Sequence, residues 1–383
     1  MSGISIGADK RDKLNKLLDW LEENIDIEHV KKVEQAHIRA LDYQTVEFLP
    51  LSVIYPVNND FEPYPYPEAF YDPEKMLYNE LIVSFNSIIN SVTLKDHFPL
   101  HIRSNHGIGI IASMFGAEIK LLENNMPWVE PLGSVKEVEN AAKNGVPDFN
   151  KGLGERVIAA HQYFLYKLKQ YPKCYNTIQV SQPDLQGPFD IAHLIMGTDI
   201  YYKLFDGAKI IHELLETITD TYIGFRKHID GLLTDKAGDD AMYVHGSIYK
   251  GKVVLKDDTA AVNLSQEMYE EFSGRYNEKI LSAFNGGTLH YCGPQRPWHY
   301  ESMKNGCLKA INYGNPEMHD LADTYEYWSK YKIPIIWYGY NQNREFLNKI
   351  YEAQIPTGIS LAVKAKDFNE AQEILKNHLR GLI

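Results

Sequence analysis

Short apolar runs alternate with longer stretches of helical periodicity along most of the chain. From residue 177 onward, the runs that are short enough for buried strands are residues 177–181, 253–257, 288–292, 308–312, 333–338 and 359–363. Between them, stretches such as 208–226 and 265–284 repeat apolar residues at helical spacing. Ser265 and Asp367 stand where helix N-caps are expected. This alternation predicts a parallel α/β fold.

The first half of the chain adds further units to this pattern. Residues 46–54 predict a first buried strand, residues 55–73 a long loop that forms a cleft wall or lid, and residues 74–90 a helix. Roughly eight β/α units can then be drawn, which favours a (β/α)8 TIM barrel over a doubly wound sheet. The sequence has neither the G-x-G-x-x-G fingerprint nor a P-loop. We therefore expect an N-terminal helical extension over residues 1–45 and one barrel domain over residues 46–383.

Composition excludes several classes of protein. The net charge is −12 and Lys and Arg form no dense run, which argues against a nucleic-acid partner. The sequence lacks an apolar stretch of about 18 residues, the length expected of a membrane helix, and its charged N-terminus does not resemble a secretion signal. Three irregularly spaced cysteines, Cys174, Cys292 and Cys307, fit a reducing compartment. We expect a cytoplasmic protein without a membrane segment.

His290 and Cys292 are the first candidates for chemistry. They lie two positions apart on the predicted strand 288–292, so both side chains point to the same face. Gly293 and Pro294 end that strand, and the carboxyl ends of the strands form the functional face of a (β/α)8 barrel. Imidazole nitrogen and thiolate sulfur are zinc ligands. The pattern predicts a zinc site, with a buried core histidine beside a small apolar cysteine as the alternative.

Asp257 and Asp258 end the preceding predicted strand. Because they are adjacent, one is expected to face inward and the other into the loop. The inward carboxylate is a candidate third metal ligand, a general acid, or a group that orients His290. The alternative for both is a solvated pair in a turn. We treat Asp257 and Asp258 as the candidate catalytic residues.

Polar residues that follow other predicted strands are candidates for substrate binding. The loop after strand 177–181 is rich in Asp, Gln, Gly and Pro, and a second polar turn follows strand 333–338. The stretch 101–105 mixes amide and basic groups, and its Arg103 is a candidate anchor for an anion. The same residue types also form ordinary turns. The candidates are Asn105, Asp184, Gln186, Tyr338 and Asn341.

Four segments in a fixed order carry a resemblance to a known family. They are PLHIRSNHGIGIIASMFGAEI at 99–119, PDLQGPFDIAHLIMG at 183–197, DDTAAVNLSQEMYEEF at 257–272 and GGTLHYCGP at 286–294. With these segments the sequence resembles the uroporphyrinogen decarboxylase superfamily. It is closer to the corrinoid-dependent methyltransferase branch than to the true decarboxylases. The resemblance covers the chain from about residue 99 onward.

The resemblance implies a (β/α)8 barrel with its site in the carboxyl-terminal mouth. It also implies zinc held by a His-x-Cys pair and a later cysteine near the last barrel strand. His290 and Cys292 match the pair, but Ile359 stands where we expect the later sulfur, and isoleucine cannot bind a metal. Either another residue completes the site or the metal has been lost. The candidates for completing it are Asp257, Asp258, His245 and Cys307.

The function implied by the resemblance is methyl transfer between a small substrate and the cobalamin of a partner corrinoid-binding protein, with zinc as Lewis acid. Decarboxylases of the superfamily grip their substrate with arginines after the first strand, and residues 46–56 contain none. Porphyrinogen decarboxylation is therefore disfavoured. Two alternatives stay open. One is a metal-free lyase on a small acidic substrate, using Asp257 or Asp258. The other is a ligand-binding barrel without catalysis, which Ile359 favours.

Overall fold

A parallel six-stranded sheet lies at the centre of a mixed α/β protein. The computed structural model describes residues 12–57, 61–83, 87–122, 125–258, 260–294 and 306–381. The strands are β1 (Leu51–Ile54), β2 (His101–Ile102), β3 (Glu118–Leu122), β4 (Asn125–Glu130), β5 (Gln179–Val180), β6 (Ala241–Val244), β7 (Ser247–Lys250), β8 (Val254–Asp257), β9 (Gly287–Tyr291), β10 (Leu308–Tyr313), β11 (Ile335–Tyr338) and β12 (Ile359–Lys364). The central sheet has the order β1-β12-β11-β10-β9-β8, and its neighbouring strands run parallel.

Helices connect the strands. A π-helix covers Glu270–Gly274, and short 3-10 helices cover Asp230–Leu232, Ala261–Asn263 and Pro316–Met318. The α-helices are α1 (Lys13–Asn24), α2 (Ile27–Leu41), α3 (Tyr66–Tyr71), α4 (Pro73–Val83), α5 (Ile88–Leu94), α6 (Ile110–Met114), α7 (Val135–Lys143), α8 (Leu153–Leu168), α9 (Pro172–Thr177), α10 (Pro188–Met196), α11 (Asp199–Asp206), α12 (Ala208–His228), α13 (Gln266–Tyr269), α14 (Arg275–Ala283), α15 (Leu321–Ser329), α16 (Glu345–Glu352) and α17 (Phe368–Leu379).

The two faces of the central sheet belong to different apolar clusters. Because side chains alternate along a strand, one set of positions faces the helices and the other faces the interior. The helix-facing set includes Leu255, Leu289, Ile311 and Ile335, all buried in the largest cluster. The opposite set packs against the hairpin formed by β6 and β7, and it includes Val254, Ala310, Ile336 and Ala362. We call this second side of the sheet the inner face.

β2 and β5 form a separate parallel pair next to the sheet. Side chains connect this pair to both edges of the central sheet. On one side, the backbone N–H of Leu51 in β1 donates to Nδ1 of His97, shortly before β2, at 3.1 Å. On the other side, Nε2 of Gln182, shortly after β5, donates to the carbonyl of Val254 in β8 at 2.9 Å. The pair therefore stands between the two edge strands of the sheet.

The predicted elements and the structure agree most closely after residue 177. Each of the six strands predicted there overlaps an observed strand, and the predicted helix 208–226 is α12. The side chains of Ser265 and Asp367 accept hydrogen bonds as N-caps, at 3.3 Å and 2.9 Å. The predictions for the first half of the chain agree less well with the structure. The strand expected at 46–54 begins only at residue 51, and the helix expected at 74–90 is interrupted, with 84–86 outside the described residues.

The N-terminal helices pack directly on the rest of the protein. α1 buries four leucines, Leu14, Leu17, Leu18 and Leu21, in an apolar cluster that also contains residues of α4, α8 and α9. α2 contacts β7 and β12. Among the described residues, no helix combines the length and the apolar character that a membrane crossing requires.

Candidate metal centre

Three side chains with metal-binding atoms converge at the carboxyl ends of β8 and β9. Asp258 directly follows β8, His290 lies in β9, and Cys292 directly follows β9. Oδ1 of Asp258 is 2.9 Å from Nε2 of His290, and Sγ of Cys292 is 3.5 Å from the same nitrogen. Sγ of Cys292 is also 3.6 Å from Oδ1 of Asp258. Among the described residues, these three form a group of potential ligands within 4.8 Å of one another. We call them the triad.

Asn312 fixes the orientation of the His290 ring. It is the parallel partner of His290 on β10, and its Oδ1 accepts a hydrogen bond from Nδ1 of His290. Nδ2 of Asn312 in turn donates to the carbonyl of Ile336 in β11 at 2.6 Å. These bonds assign the ring proton to Nδ1 and direct Nε2 toward Asp258 and Cys292. Such a partner behind a metal-binding histidine sets its tautomer and holds the ring in place.

Electrostatics in the triad favours an ion pair when no metal is bound. Burial alone would lower the pKa of His290, but the neighbouring Asp258 carboxylate outweighs burial and raises that pKa to about 10. Burial would likewise raise the pKa of Asp258, but His290 and then Lys256 hold it below its ordinary value. A metal ion must therefore displace a proton from His290 on binding.

Asp257 does not join the triad. Its side chain points to the helix-facing side of β8, where its Oδ2 accepts hydrogen bonds from the Tyr269 hydroxyl at 2.7 Å and from Nδ2 of Asn277 at 2.9 Å. Burial, reinforced by the nearby Asp190, raises the pKa of Asp257 to about 7. Of the two aspartates left open by the sequence, the structure brings Asp258 to His290 and turns Asp257 away.

The triad matches the donor types and spacing of a tetrahedral zinc site. Ligand bonds of about 2.0–2.3 Å place neighbouring tetrahedral ligands roughly 3.3–3.8 Å apart. The two distances to Sγ of Cys292, 3.5 and 3.6 Å, lie in this range. The distance between Asp258 and His290, 2.9 Å, is shorter because the two groups are hydrogen-bonded. The three residues fit such an ion with one position left for a substrate or water.

The other proposed ligands lie elsewhere. Ile359 is the first residue of β12, buried in the helix-facing cluster at the strand end opposite the triad, so its identity says nothing about the site. The expectation that Ile359 replaces a ligand was therefore wrong. Cys307 also precedes its strand and is buried at that opposite end. His245 is close to His290, but its Nδ1 accepts a hydrogen bond from Nζ of Lys256 at 3.1 Å.

Asp184 and Gln186 belong to a buried charge network next to the triad. Asp184 bridges two cations, with Oδ1 2.7 Å from Nζ of Lys256 and Oδ2 3.2 Å from Nη1 of Arg103. Nε2 of Gln186 donates to the same carboxylate at 3.1 Å. Lys256 is the parallel partner of His290, so the network and the triad share the inner face. The sequence indicated Asp184, Gln186 and Arg103 but missed Lys256.

The other residues predicted to bind substrate have different surroundings. Tyr338 is fully buried on the helix-facing side, and its hydroxyl donates to the carbonyl of Pro316 at 3.2 Å. The positive φ of Trp337, 51°, breaks the alternation of β11 and turns Trp337 to the inner face instead. Asn341 is exposed in the following turn. Asn105 is half-buried, and its carbonyl accepts a hydrogen bond from Tyr66. This arrangement corrects the prediction for Tyr338.

Sequence reasoning missed Lys256 and Asn312, which are neighbours of the triad, and Trp337, which lies beside the tip of the β6–β7 hairpin. A usable signal was present for the first two. Lys256 and Asn312 are polar residues within otherwise apolar strands, and Lys256 lies two positions before Asp258. The alternation of strand side chains would have assigned Lys256 and Asp258 to one face and Asp257 to the other. Trp337 had no such signal, because the local backbone decides its direction.

Gly314 directly follows β10, and because it has no side chain it leaves room for the side chains of the triad. A Cβ atom at this position would lie 2.6 Å from Sγ of Cys292 and 3.3 Å from Cε1 of His290. We expect Gly314→Ala to displace the thiol and to weaken zinc binding by about 10–100-fold, the loss typical of a disturbed ligand support. Competition with a chromophoric chelator measures this. Gly306→Ala is the matched control, since a Cβ there meets nothing within 4 Å. Equal affinities would contradict the prediction.

Comparisons with known proteins agree with this architecture. The fold is similar to that of a methyltransferase from Methanosarcina mazei, with a TM-score of 0.64, 15% sequence identity, and coverage of 91% of this chain and 98% of that one. In sequence, the chain is 25% identical over 234 residues to the Methylcobamide:CoM methyltransferase MtbA of Methanosarcina acetivorans. That alignment covers 60% of this chain and spans 59% of the curated relative's length. No protein-family model matches the chain.

Proposed function

We propose that this protein is a methyltransferase that moves a methyl group between a small substrate and the cobalamin of a separate corrinoid-binding protein. Zinc held by Asp258, His290 and Cys292 is its metal cofactor. The convergence of these three side chains at one strand end carries the proposal. The likeness to a methylcobamide methyltransferase supports the same class of reaction.

We further propose that the sheet and the β2–β5 pair together form a closed barrel of eight parallel strands. The side-chain hydrogen bonds from Leu51 to His97 and from Gln182 to Val254 support this, because they join both edges of the sheet to the pair. In a (β/α)8 barrel the active site lies at the carboxyl ends of the strands. The triad lies at this end of β8 and β9, where a corrinoid-binding protein would dock.

The residues of the chain would prepare the site for methyl transfer. When bound, zinc would act as a Lewis acid on the heteroatom that gains or loses the methyl group. Asn312 holds the His290 ring so that Nε2 faces the ligand position. His290 must give up its extra proton, and Cys292 its thiol proton, before they can bind an ion. Lys256, which lies beside the triad, favours the ionised form of Asp258.

The metal-free lyase has less support. It assigned an acid or stabilising role to Asp257 or Asp258. Both oxygens of Asp257 accept hydrogen bonds on the helix-facing side, Oδ2 from Tyr269 and Oδ1 from Asn277, and Asp258 pairs with His290. The non-catalytic barrel rested on Ile359, which lies at the strand end opposite the triad. Neither alternative accounts for the convergence of three ligand types.

Metal removal tests the proposed function. The protein purified without added metal is expected to contain nearly one zinc ion per chain by mass spectrometry. With methylcobalamin as donor and CoM or another small thiol as acceptor, we expect loss of the methylcobalamin absorption spectrum. Activity should disappear after chelation and return with zinc. Absence of zinc, or methyl transfer that chelation leaves unchanged, would overturn the proposal. A metal-free lyase would act on its substrate equally well before and after chelation.

A further inference from the structure

The geometry points to His245 as a specificity-determining residue. We propose that it forms the floor of the substrate chamber and restricts the chamber to short molecules. His245 lies at the tip of the hairpin β6–β7, which covers the inner face of the sheet. This inference rests on the proposed function, since it assumes that the substrate reacts at the triad.

The hairpin has a tight turn with His245 as its first residue. β6 and β7 pair antiparallel from Ala241 with Lys250 to Val244 with Ser247, which leaves only His245 and Gly246 between them. Their φ angles are both positive, 47° and 89°. Positive φ at both central residues is the requirement of a type I′ turn, the two-residue connection that matches strand twist. The backbone therefore presents His245 in one defined direction.

The tip is held from several sides. The backbone N–H of Gly246 donates to Nε2 of His101 at 3.0 Å. The indole of Trp337 lies so close that a Cβ on Gly246 would be 2.3 Å from it. Below the tip, Ser247 contacts Ser360 of β12 through their hydroxyls at 3.3 Å. These contacts fix the position of the tip beside the inner face.

His245 is the accessible part of this tip and it faces the triad. Residues 242–244 and 246–249 are buried, whereas His245 is only half-buried. Its ring centroid lies 5.2 Å from that of His290, with the rings edge to face. Its Nδ1 accepts the hydrogen bond from Lys256, and this bond fixes the orientation of the ring beside the triad. A substrate that reaches the triad therefore meets this imidazole immediately below.

This arrangement predicts the class of substrate. The hairpin fills the inner face beneath the triad, where Tyr243, Ile248 and Tyr249 pack against the strands. In the proposed function the corrinoid lies over the open ends of the strands, so a molecule whose reacting heteroatom binds at the triad is confined between the corrinoid and His245. Substrates with a short chain beyond that heteroatom fit, and longer unbranched chains collide with His245 or must fold back.

His245→Gly tests the floor without straining the turn, because glycine adopts positive φ freely. Lys256 keeps its bond to Asp184 in this variant. We expect unchanged metal content, and the turnover of 2-mercaptoethanol and of 6-mercaptohexanol with methylcobalamin is measured side by side in the parent and the variant. The preference for 6-mercaptohexanol over 2-mercaptoethanol should rise on the order of tenfold or more, as pocket enlargement by several methylenes allows. A second measurement is thiol binding to the cobalt-substituted protein, followed by its visible absorption.

The controls separate the possible failures. Gln354→Gly makes the same kind of change at an exposed residue with φ 51°, and it should alter neither metal content nor chain-length preference. Metal binding with unchanged preference in His245→Gly would overturn the floor alone. Loss of metal in His245→Gly would make His245 a ligand and would also overturn it. If the parent protein itself takes up no metal, the proposed function fails, and this inference fails with it.

Discussion

Asp258→Asn is expected to abolish zinc binding, whereas Asp257→Asn is expected to leave it intact. Asp258 supplies an oxygen 2.9 Å from Nε2 of His290 and 3.6 Å from Sγ of Cys292. Loss of a direct ligand should cost more than the roughly 10–100-fold in affinity that loss of a supporting hydrogen bond costs. Zinc content after purification without added metal, measured by mass spectrometry, gives the answer.

The neighbouring residue, Asp257, is a closely matched control for Asp258. Asp257 carries the same functional group one position earlier, and asparagine keeps an oxygen that accepts the hydrogen bond from Tyr269. Burial raises the pKa of Asp257 to about 7, so at pH 7 its replacement by a neutral amide removes only about half a negative charge. If Asp257→Asn lost its zinc while Asp258→Asn kept it, the triad as assigned would be wrong.

Asp184→Asn is expected to destabilise the protein by about 3–5 kcal/mol, the usual cost of breaking a buried ion pair by removing one partner. The carboxylate is shared by Lys256 and Arg103, and all three side chains are buried. Its loss leaves two buried cations without their common counter-charge. Urea denaturation measures the change. Glu139→Ala, which removes an exposed partner of Lys143, should change stability by less than about 0.5 kcal/mol.

The same carboxylate predicts how stability depends on pH. Burial would raise the pKa of Asp184, but Lys256 and Arg103 hold that pKa well below its usual range. A lowered folded-state pKa stabilises the protein above the unfolded-state pKa of about 4, and this stabilisation is lost as the pH falls further. The stability gap between the parent and Asp184→Asn should therefore be full at neutral pH and narrow below about pH 4. A gap that widens on acidification would contradict this account.

The sequence predicted the strands of the second half because their apolar runs are short and bounded by turn residues. It missed the β6–β7 hairpin for a physical reason. Residues 242–244 and 247–249 are all buried, and β7 lies between α2 and the sheet, so no alternation of polar and apolar residues marks these segments as strands. The turn is His-Gly, whereas Asn-Gly or Asp-Gly is the stronger sequence signal.

At the site, the alternation of side chains along a strand was enough to predict that His290 and Cys292 share a face. It failed for Tyr338, because the positive φ of Trp337 reverses the alternation in β11, and single-sequence patterns do not reveal such a backbone change. The sequence also could not predict contacts between side chains that lie far apart along the chain. Asn312 reaches His290 only because β9 and β10 pair in one particular register, and register depends on the whole sheet.

The two ends of the hairpin on the inner face lie side by side, because Ala241 and Lys250 are paired at its base. The distance from this base to the tip is then set by the number of residues in one contiguous segment. A strand rises about 3.4 Å per residue, and removing two residues from each strand keeps the same side chains inward. Insertions and deletions in this segment alone would therefore change how far the hairpin tip extends toward the triad. The change would come in steps of about 7 Å and would not alter the metal ligands. Relatives that differ in hairpin length would form a graded series of substrate sizes built on one unchanged centre.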